Sequence, residues 1–356
     1  MSILIHDAES DEGTIDWSCL SRRPGGGRAL VRAFDGLVRD VIRGWVPAGA
    51  GEWLGSMISG AGAPMIKALL AGLNGTLGAN FAGEAHAIAN ALDVGAQDVL
   101  LGNLAYDLTN NAGCSTFVCD TRNGPLHARN LDWPFPGSLL RRHTQVVRVH
   151  GAPAGDYLLV TWPGLFGALT AVAPGRFSVT VNFVTHRRHS GGLASVKRAI
   201  GGYWPVPWAV RLALDTAADF DEAVAYLKSV PLVSTVLFTV AGLEAGEMAV
   251  IERAPTSGKI RGPDDGRLWV TNHYVGPGAG RANDLDLDED SDSCVRFDQL
   301  EASLARGGGR TAASALKLLS HCELASDITQ QQVVMSAREG WLDLRVPGGE
   351  RLRVSA

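Results

Sequence analysis

The chain has 356 residues, of which 46% are hydrophobic and 19% are charged, and its formal net charge is −5. This length and balance are typical of a globular protein with a large core and are too apolar for a disordered chain. The acidic balance excludes nucleic acid as the main partner, because phosphate binding needs a basic surface. The N-terminal stretch MSILIHDAESDEGTID lacks the basic start and apolar core of a signal peptide, and no apolar run reaches a membrane-spanning length of about 18 residues. We therefore expect a soluble cytoplasmic protein.

Most of the chain before Cys114 has the apolar spacing of helices. Residues 20–35, which are rich in glycine and arginine, predict a loop or an extended lead-in. Apolar residues at helical spacing then predict helix over 36–72, and two clearer helices follow at 84–93 and 96–109. The sequence thus predicts a helical N-terminal segment over residues 1–113.

The character of the chain changes at Cys114. The β-rich runs CSTFVCDT and LHARNLDW flank Arg122-Asn123-Gly124-Pro125, and Asn-Gly between two such runs predicts a hairpin with a two-residue turn. Strands that come in runs, with helices between the runs, predict an antiparallel α+β sandwich. Further strands are predicted at 143–149, 157–162, 177–184, 234–241, 247–253, 268–272, 332–337 and 341–346, and helices at 193–201, 207–217, 220–229, 294–305 and 311–320.

The cysteines form neither a disulfide framework nor a zinc site. There are 5 of them, widely spread, and none lies in a C-x-x-C pair. The acidic run 284–292 lacks the glycine and the glutamate that a calcium loop requires at its sixth and twelfth positions. We therefore predict no metal and no cofactor. The cysteines are Cys19, Cys114, Cys119, Cys294 and Cys322.

The predicted hairpin places chemical groups around Cys114. If Arg122 pairs with Pro125, the register puts Cys114 opposite Trp133 and next to Asp132. The same register puts Arg129 on the face of the sheet that carries Cys114. A nearby guanidinium favours the thiolate, which is the nucleophilic form of cysteine. The alternative interpretation is an ordinary strand with an Arg–Asp pair and a buried cysteine.

The segment GNLAYDLTNNAGCSTFVCDTRNGPLHARNLDWPFPG resembles the processing site of the N-acylethanolamine acid amidase and acid ceramidase group. That group is related to choloylglycine hydrolases and penicillin V acylases, which are N-terminal nucleophile hydrolases. The resemblance continues through PVPWAVRLALDTAADFDEAVAYLKSVPLVSTVLFTVAG, VTNHY at 270–274 and VVMSA at 333–337, in order over roughly residues 75–345. It implies a four-layer αββα sandwich that cuts itself at Gly113–Cys114. The fragment 1–113 would then stay bound, as an α subunit, to the catalytic portion 114–356.

The resemblance also implies a role for each matching residue. Cys114 matches the nucleophile, Arg129 the arginine beside the thiolate, and Asp132 the aspartate that holds the new α-amino group. Asn272 matches the asparagine whose side chain helps to form the oxyanion hole, and Asn182 the position that completes it through its backbone N–H.

The second site arginine and the substrate pocket are less closely matched. Arg296, just inside a predicted helix, is the favoured match for that arginine, with Arg281 as its competitor. Phe183 and Trp133 are expected to contact the substrate. Amidase and ceramidase members carry glutamate at the position of Phe183, so this chain departs from them there and resembles the choloylglycine and penicillin acylase branch.

The implied activity is hydrolysis of an N-acyl amide with an apolar, fatty-acyl-like group, a reaction of lipid metabolism, through an acyl-thioester on Cys114. Self-cleavage would free the α-amino group of Cys114, whose reference pKa of about 7.7–8.0 suits a general base. One alternative is an acyltransferase that passes the acyl group to an amine, and another is an unprocessed binding protein of the same fold. The apolar stretch Trp53–Leu77 either packs between helices or borders an acyl pocket or a lipid surface.

Overall fold

The computed structural model describes residues 3–11, 14–22, 24–44, 81–109, 113–135, 138–184, 186, 192–277, 279 and 292–355. The predicted helix beyond residue 44, the apolar stretch Trp53–Leu77, Arg281 and most of the acidic run lie outside these residues. Within the described part of the chain, no helix is long and apolar enough to cross a membrane.

The N-terminal part is not helical throughout. It begins with the strands β1 and β2, and a short 3-10 helix at Trp17–Arg22 precedes the first long helix. Buried and exposed side chains alternate along the middle of β1, which is the pattern of a strand with one face buried. The prediction of an all-helical segment did not take this strand into account. The elements are β1 (Leu4–Asp11), β2 (Thr14–Ile15), α1 (Pro24–Gly44), α2 (81–92), α3 (Ala96–Gly102) and α4 (Ala105–Thr109).

The prediction of a loop over residues 20–35 is wrong, because α1 begins at Pro24. Glycines led to that prediction, but here at least one of them lets two helices approach closely. A Cβ at Gly27 would stand only 2.5 Å from Leu92 Cδ2 of α2, a distance that real Cβ atoms do not show. The predicted helices at 84–93 and 96–109 are confirmed, the second as α3 and α4 with a break around Asn103.

The chain from Gly113 onward alternates groups of strands with groups of helices, as predicted. The strands β7, β11 and β15 and the short helix α5 were not predicted. The elements are β3 (Gly113–Thr121), β4 (Gly124–Asp132), α5 (Leu139–His143), β5 (Gln145–His150), β6 (Tyr157–Thr161), β7 (Thr170–Ala173), β8 (Phe177–Phe183), α6 (Gly192–Ile200), α7 (Val206–Thr216), α8 (Phe220–Ser229), β9 (Val236–Ala241), β10 (Met248–Ala254), β11 (Ser257–Arg261), β12 (Arg267–Val270), α9 (Ser293–Ala305), α10 (Ala312–Leu319), β13 (Thr329–Ser336), β14 (Trp341–Arg345) and β15 (Arg351–Ser355).

The strands form two sheets. The first has 9 strands in the order β11-β10-β9-β8-β7-β6-β5-β1-β2, and the second has 6 in the order β12-β3-β4-β13-β14-β15. Neighbouring strands are antiparallel except for β1, which runs parallel to β5 over Leu4–Glu9. The N-terminal segment is therefore part of the larger sheet.

Helices cover the outer face of each sheet, and the two sheets pack on each other. Between the sheets, Val118 and Leu268 of the smaller sheet share a core with Leu237 and Val250 of the larger one. The helices before β9 share a core with the larger sheet. On the smaller sheet, α9 and α10 pack on the outer face of β3 and β4. The fold is thus the predicted four-layer αββα sandwich.

The hairpin register differs from the predicted one by two residues. Thr121 pairs with Gly124, so Arg122 and Asn123 form the turn. Gly124, with φ at +90°, lies in the left-handed region that favours glycine, and a Cβ there would stand 2.5 Å from Leu243 O. Gly124 therefore begins β4 instead of closing the turn. The corrected register sets Cys114 opposite Leu131.

Candidate active site

The β3–β4 hairpin brings the predicted nucleophile and the predicted arginine together. Cys114 lies at the start of β3, and Arg129 pairs with Thr116, two positions further along the strand. Because the register shift is even, Arg129 keeps the face that was predicted, but it comes two positions closer to Cys114. Its Nη2 donates to Cys114 Sγ at 3.1 Å, and both side chains are fully buried. The guanidinium thus contacts the sulfur directly.

Arg129 is held by the opposite sheet. Its Nη1 donates to Leu169 O at 2.7 Å and also contacts Thr170 Oγ1, and its Nη2 donates to Val181 O at 2.8 Å. Val181 lies opposite Leu169, just before β7 begins at Thr170, and its N–H donates to Leu169 O, so its carbonyl oxygen faces the same end of β7. The cation is therefore fixed in the gap between the sheets, where its attraction for a thiolate is poorly screened by solvent.

Both backbone groups of Cys114 are also bound. Its N–H, which is the nitrogen of the predicted scissile bond, donates to Asn272 Oδ1 at 2.9 Å. Its carbonyl oxygen accepts from Arg296 Nη1 at 2.5 Å. Arg296 Nη2 donates to Asn272 Oδ1 at 2.7 Å, which closes the arrangement. Arg296 is 6% exposed and lies in α9, so the favoured match for the second arginine reaches the site, while Arg281 lies outside the described residues.

Asn272 is oriented by its neighbours. Oδ1 accepts from two donors, the Cys114 N–H and Arg296, and this fixes which side-chain atom is the oxygen. Nδ2 then donates to Phe183 O at 2.7 Å. The Asn272 N–H donates to Ser293 Oγ at 2.9 Å, at the N-terminus of the helix that carries Arg296. Ser293 thus fixes Asn272 and Arg296 relative to each other.

Asp132 lies opposite Gly113 in the hairpin. Its Oδ1 accepts from Thr329 Oγ1 at 2.6 Å. A Cβ at Gly113 would stand 3.2 Å from Asp132 Cβ and 3.6 Å from its Oδ2, so any larger residue there would press on this carboxyl. Burial raises the pKa of Asp132 to about 6, although Arg296, the Thr329 hydrogen bond and Arg129 each act to lower it. The carboxyl is therefore in place beside the predicted cleavage point.

The raised pKa of Asp132 predicts how the stability of the uncleaved chain depends on pH. The Cys114→Ala variant should stay uncleaved and is therefore the protein in which to measure this dependence. Because the folded pKa of Asp132 is raised from 3.8, the folded state binds more protons than the unfolded state between these values. The free energy of unfolding should therefore fall by roughly 2–2.5 kcal/mol as the pH rises from about 4 to about 7. The additional substitution Asp132→Asn should remove this part of the decrease, as measured from urea midpoints.

Other buried carboxyls leave the comparison intact. Asp107, whose pKa burial raises to about 7, contributes equally to both variants. Equal pH dependence in the two variants would show that Asp132 does not titrate in this range.

Asn182 clamps the two sheets together through its side chain. Its Oδ1 accepts from Thr116 Oγ1 at 2.7 Å, and its Nδ2 donates to Thr271 O at 3.0 Å. The Val181 N–H donates to Leu169 O, on the β7 side of β8. Because successive amides of a strand point to opposite neighbours, the Asn182 N–H points toward its β9 partner Leu237. The oxyanion role expected of this N–H stays a prediction, and its direction counts against it.

The two residues expected to contact the substrate lie in an aromatic cluster beside the site. Trp133 is 2% exposed and Phe183 is 5% exposed. The ring of Tyr106 from α4 meets both edge-on, with centroids 6.1 Å from Trp133 and 6.4 Å from Phe183. Phe34 of α1 packs on Trp133 at 5.7 Å. Residues from before and after Cys114 thus form this cluster jointly.

Several site residues were not predicted. Four buried residues from different elements also reach the site: Thr329 of β13, Ser293 of α9, Ser115 of β3 and Tyr106 of α4. For Ser293 the sequence offered one pointer, because it lies on the same helical face as Arg296 three residues later. Thr329 could not be found from local pattern, since only the pairing of β13 with β4 brings it to Asp132.

Comparison with known proteins finds similar sequences. The sequence model of the acyl-coenzyme A:6-aminopenicillanic acid acyl-transferase family matches residues 199–334. The chain is 29% identical to the N-acylethanolamine-hydrolyzing acid amidase of Cavia porcellus over 63% of this chain and 60% of that protein. It is 27% identical to the acid ceramidase of Bos taurus over 53% of this chain and 51% of that protein. The chain thus spans roughly half to three fifths of the length of these relatives.

The fold has a counterpart among solved structures. The N-acylethanolamine-hydrolyzing acid amidase ortholog of Caenorhabditis elegans superposes with a TM-score of 0.50 and 23% identity, covering 63% of this chain and 93% of that one. The fold of the chain is therefore similar to the fold of this amidase ortholog. The predicted resemblance to N-acylethanolamine acid amidases and acid ceramidases is confirmed.

Proposed function

We propose that the chain is a self-processing amidase that hydrolyses an N-acyl amide through an acyl-thioester on Cys114. One observation carries this proposal, namely the set of contacts around Cys114. Its sulfur lies 3.1 Å from the fully buried guanidinium of Arg129, its backbone N–H donates to Asn272, and its carbonyl oxygen accepts from Arg296. A buried cysteine with a purely structural role needs none of these contacts. The names of the similar amidases and ceramidases support the reaction class.

Self-cleavage would begin with attack of the Cys114 sulfur on the Gly113 carbonyl carbon. The S–C bond forms, the C–N bond breaks, and the thiol proton moves to the departing nitrogen. Water then hydrolyses the thioester, which leaves a Gly113 carboxylate, a free thiol and the α-amino group of Cys114. Asn272 Oδ1 already accepts from that nitrogen at 2.9 Å, so it can hold the amine without rearrangement.

In turnover, the freed α-amino group would take the thiol proton as the sulfur attacks the substrate amide. Asp132 lies beside this amine, and the new ammonium would in turn lower the pKa of the carboxyl and keep it ionised. Asn272 Nδ2 would donate to the tetrahedral oxyanion. The α-amino group would give its proton to the leaving amine, and water would release the acid from the thioester.

The fragment before Cys114 should remain bound after the cut. β1 pairs with β5 inside the larger sheet, and Glu84 of α2 forms a buried ion pair with Arg211 of α7 at 2.9 Å. Asn103 adds a further contact, since its Nδ2 donates to Gly164 O at 2.7 Å. Residues 1–113 and 114–356 would therefore remain one unit.

The substrate is proposed to be a small-molecule amide with an apolar acyl group. The aromatic cluster of Trp133, Phe183 and Tyr106 beside Cys114 suits an apolar acyl group better than a charged one. Phe183 stands where a glutamate is expected in amidase and ceramidase members, which leaves the amine side of the substrate open. Peripheral lipid contact through the stretch Trp53–Leu77, and a cytoplasmic location, remain part of the proposal.

A second candidate is acyl transfer. It is favoured by the family model that matches residues 199–334, which is named for an acyltransferase. In this reaction an amine would replace water in the attack on the thioester. Product analysis of one acyl substrate with and without added 6-aminopenicillanic acid separates the two, because a transferase forms the new amide and a hydrolase forms only the free acid.

The purified protein provides the main test, by intact mass spectrometry before and after lauroyl p-nitroanilide and a thiol acylator are added. We expect two masses that correspond to cleavage before Cys114, a single acyl adduct on the larger fragment, and release of p-nitroaniline. One uncleaved mass and no turnover would favour the unprocessed binding protein.

A further inference from the structure

The hydroxyl of Tyr106 is buried and makes no hydrogen bond within the part of the chain that the structure describes. The residue lies in α4, and only 3% of it is exposed. Its hydroxyl oxygen has no partner among the described residues. Its ring is fixed edge-on against Trp133 and Phe183, the two residues expected to contact the substrate. Buried hydroxyls in proteins are normally hydrogen-bonded, so an unpartnered one beside a candidate active site calls for a ligand.

The hydroxyl lies within electrostatic range of the nucleophile. Burial raises the pKa of Tyr106 well above its ordinary value, and the charge of Cys114 raises it further, while Arg129 lowers it. A phenol in this environment stays protonated, so its O–H can donate a hydrogen bond to an incoming acceptor. It is therefore matched to an oxygen on which negative charge develops.

The oxyanion site has room for such a donor. Asn272 Nδ2 is one donor there, and it faces the Phe183 carbonyl. The other expected donor, the Asn182 N–H, points toward Leu237 of β9. A tetrahedral oxyanion is normally held by more than one hydrogen bond. Among the described residues, the expected pair therefore supplies one donor, and a second donor is needed.

We propose that the Tyr106 hydroxyl donates a hydrogen bond to the substrate carbonyl oxygen as the Cys114 thiolate attacks it. The proposal rests on the proposed amidase function. It makes the fragment before the cleavage site a contributor to catalysis, since Tyr106 lies eight residues before Cys114.

Tyr106→Phe tests this, because it removes one oxygen and keeps the ring that packs on Trp133 and Phe183. The substrates are lauroyl p-nitroanilide and the p-nitrophenyl ester of lauric acid, which share the acyl group and differ in the leaving group. We expect kcat/KM to fall by about 10²- to 10³-fold with both substrates, since an oxyanion donor acts in both reactions. The thermal midpoint should stay the same or rise, because the folded state no longer buries an unpartnered hydroxyl.

Tyr226→Phe is the matched control. Its hydroxyl is also buried without a partner, and burial alone raises its pKa. It lies in α8, which packs on α7 and on β9 to β11. We expect the same response of the thermal midpoint with unchanged kcat/KM.

The outcomes separate this inference from the proposed function. If the wild type turns over both substrates and Tyr106→Phe matches it, the hydroxyl has no role and the inference is overturned. A loss confined to the anilide would point to the leaving nitrogen and would also overturn it. A wild type that is uncleaved and inactive would refute the amidase function itself.

Discussion

Cys114→Ala is expected to leave the chain as one uncleaved polypeptide and to lower amide hydrolysis by about 10³-fold or more. Both effects follow from one atom, because the sulfur is the proposed nucleophile toward Gly113 and then toward the substrate. Arg129 would lose the contact of its Nη2 with the sulfur at 3.1 Å, but it would keep the bond from Nη1 to Leu169 O and the bond from Nη2 to Val181 O. The site should therefore stay folded. Intact mass and p-nitroaniline release are the measurements.

Cys119→Ala is the matched control within the same strand. Cys119 is 1% exposed, but it lies five residues from Cys114 and so faces the opposite side of the sheet, against α9 and α10. Burial raises the pKa of Cys119 to about 12, so it remains a neutral thiol. This variant should be cleaved and active. Complete cleavage of Cys114→Ala, or loss of cleavage in Cys119→Ala, would contradict the proposed mechanism.

Glu84→Gln is expected to lower the free energy of unfolding by about 3–5 kcal/mol, because it leaves the charge of Arg211 partly uncompensated in the core. Arg211 is fully buried and Glu84 is 1% exposed, and their paired contacts measure 2.9 and 3.1 Å. Glu84 also accepts from the Ile15 N–H at 2.7 Å and from Trp17 Nε1 at 2.8 Å. Urea denaturation in the Cys114→Ala background measures the effect on a single chain.

Asp93→Asn is the control for Glu84→Gln. Asp93 pairs with Arg28 at 2.8 Å, but its side chain is 85% exposed, so the loss should stay below about 1 kcal/mol. A Glu84→Gln effect as small as this would mean that the buried pair adds little to stability.

The same ion pair would link the two fragments after cleavage, since Glu84 lies before Cys114 and Arg211 after it. In cleaved protein, Glu84→Gln should release the smaller fragment at a lower urea concentration than the wild type does. Size-exclusion chromatography in increasing urea shows this. Equal release from both proteins would indicate that the other contacts of the fragment, among them the β1–β5 pairing and Asn103, hold it without the ion pair.

The sequence by itself determined the local part of this protein. Cys114, Arg129 and Asp132 lie on one hairpin, and strand alternation alone placed the cysteine and the arginine on the same face. An error of two residues in the register left that face unchanged, because the side-chain period of a strand is two. Most of the helices and most of the strands were also predicted, since apolar spacing reflects which side of an element is buried.

Tertiary structure decided the rest. Asn272 lies 158 residues from Cys114 and Arg296 lies 182, so only the packing of β12 and α9 against β3 brings them to its backbone. The same holds for Thr329 on Asp132 and for the placement of β1 in the larger sheet. It holds also for Tyr106, whose unpartnered hydroxyl is a property of its surroundings. Periodicity reports which face of an element is buried, whereas partners across sheets depend on contacts between distant parts of the chain that no local pattern encodes.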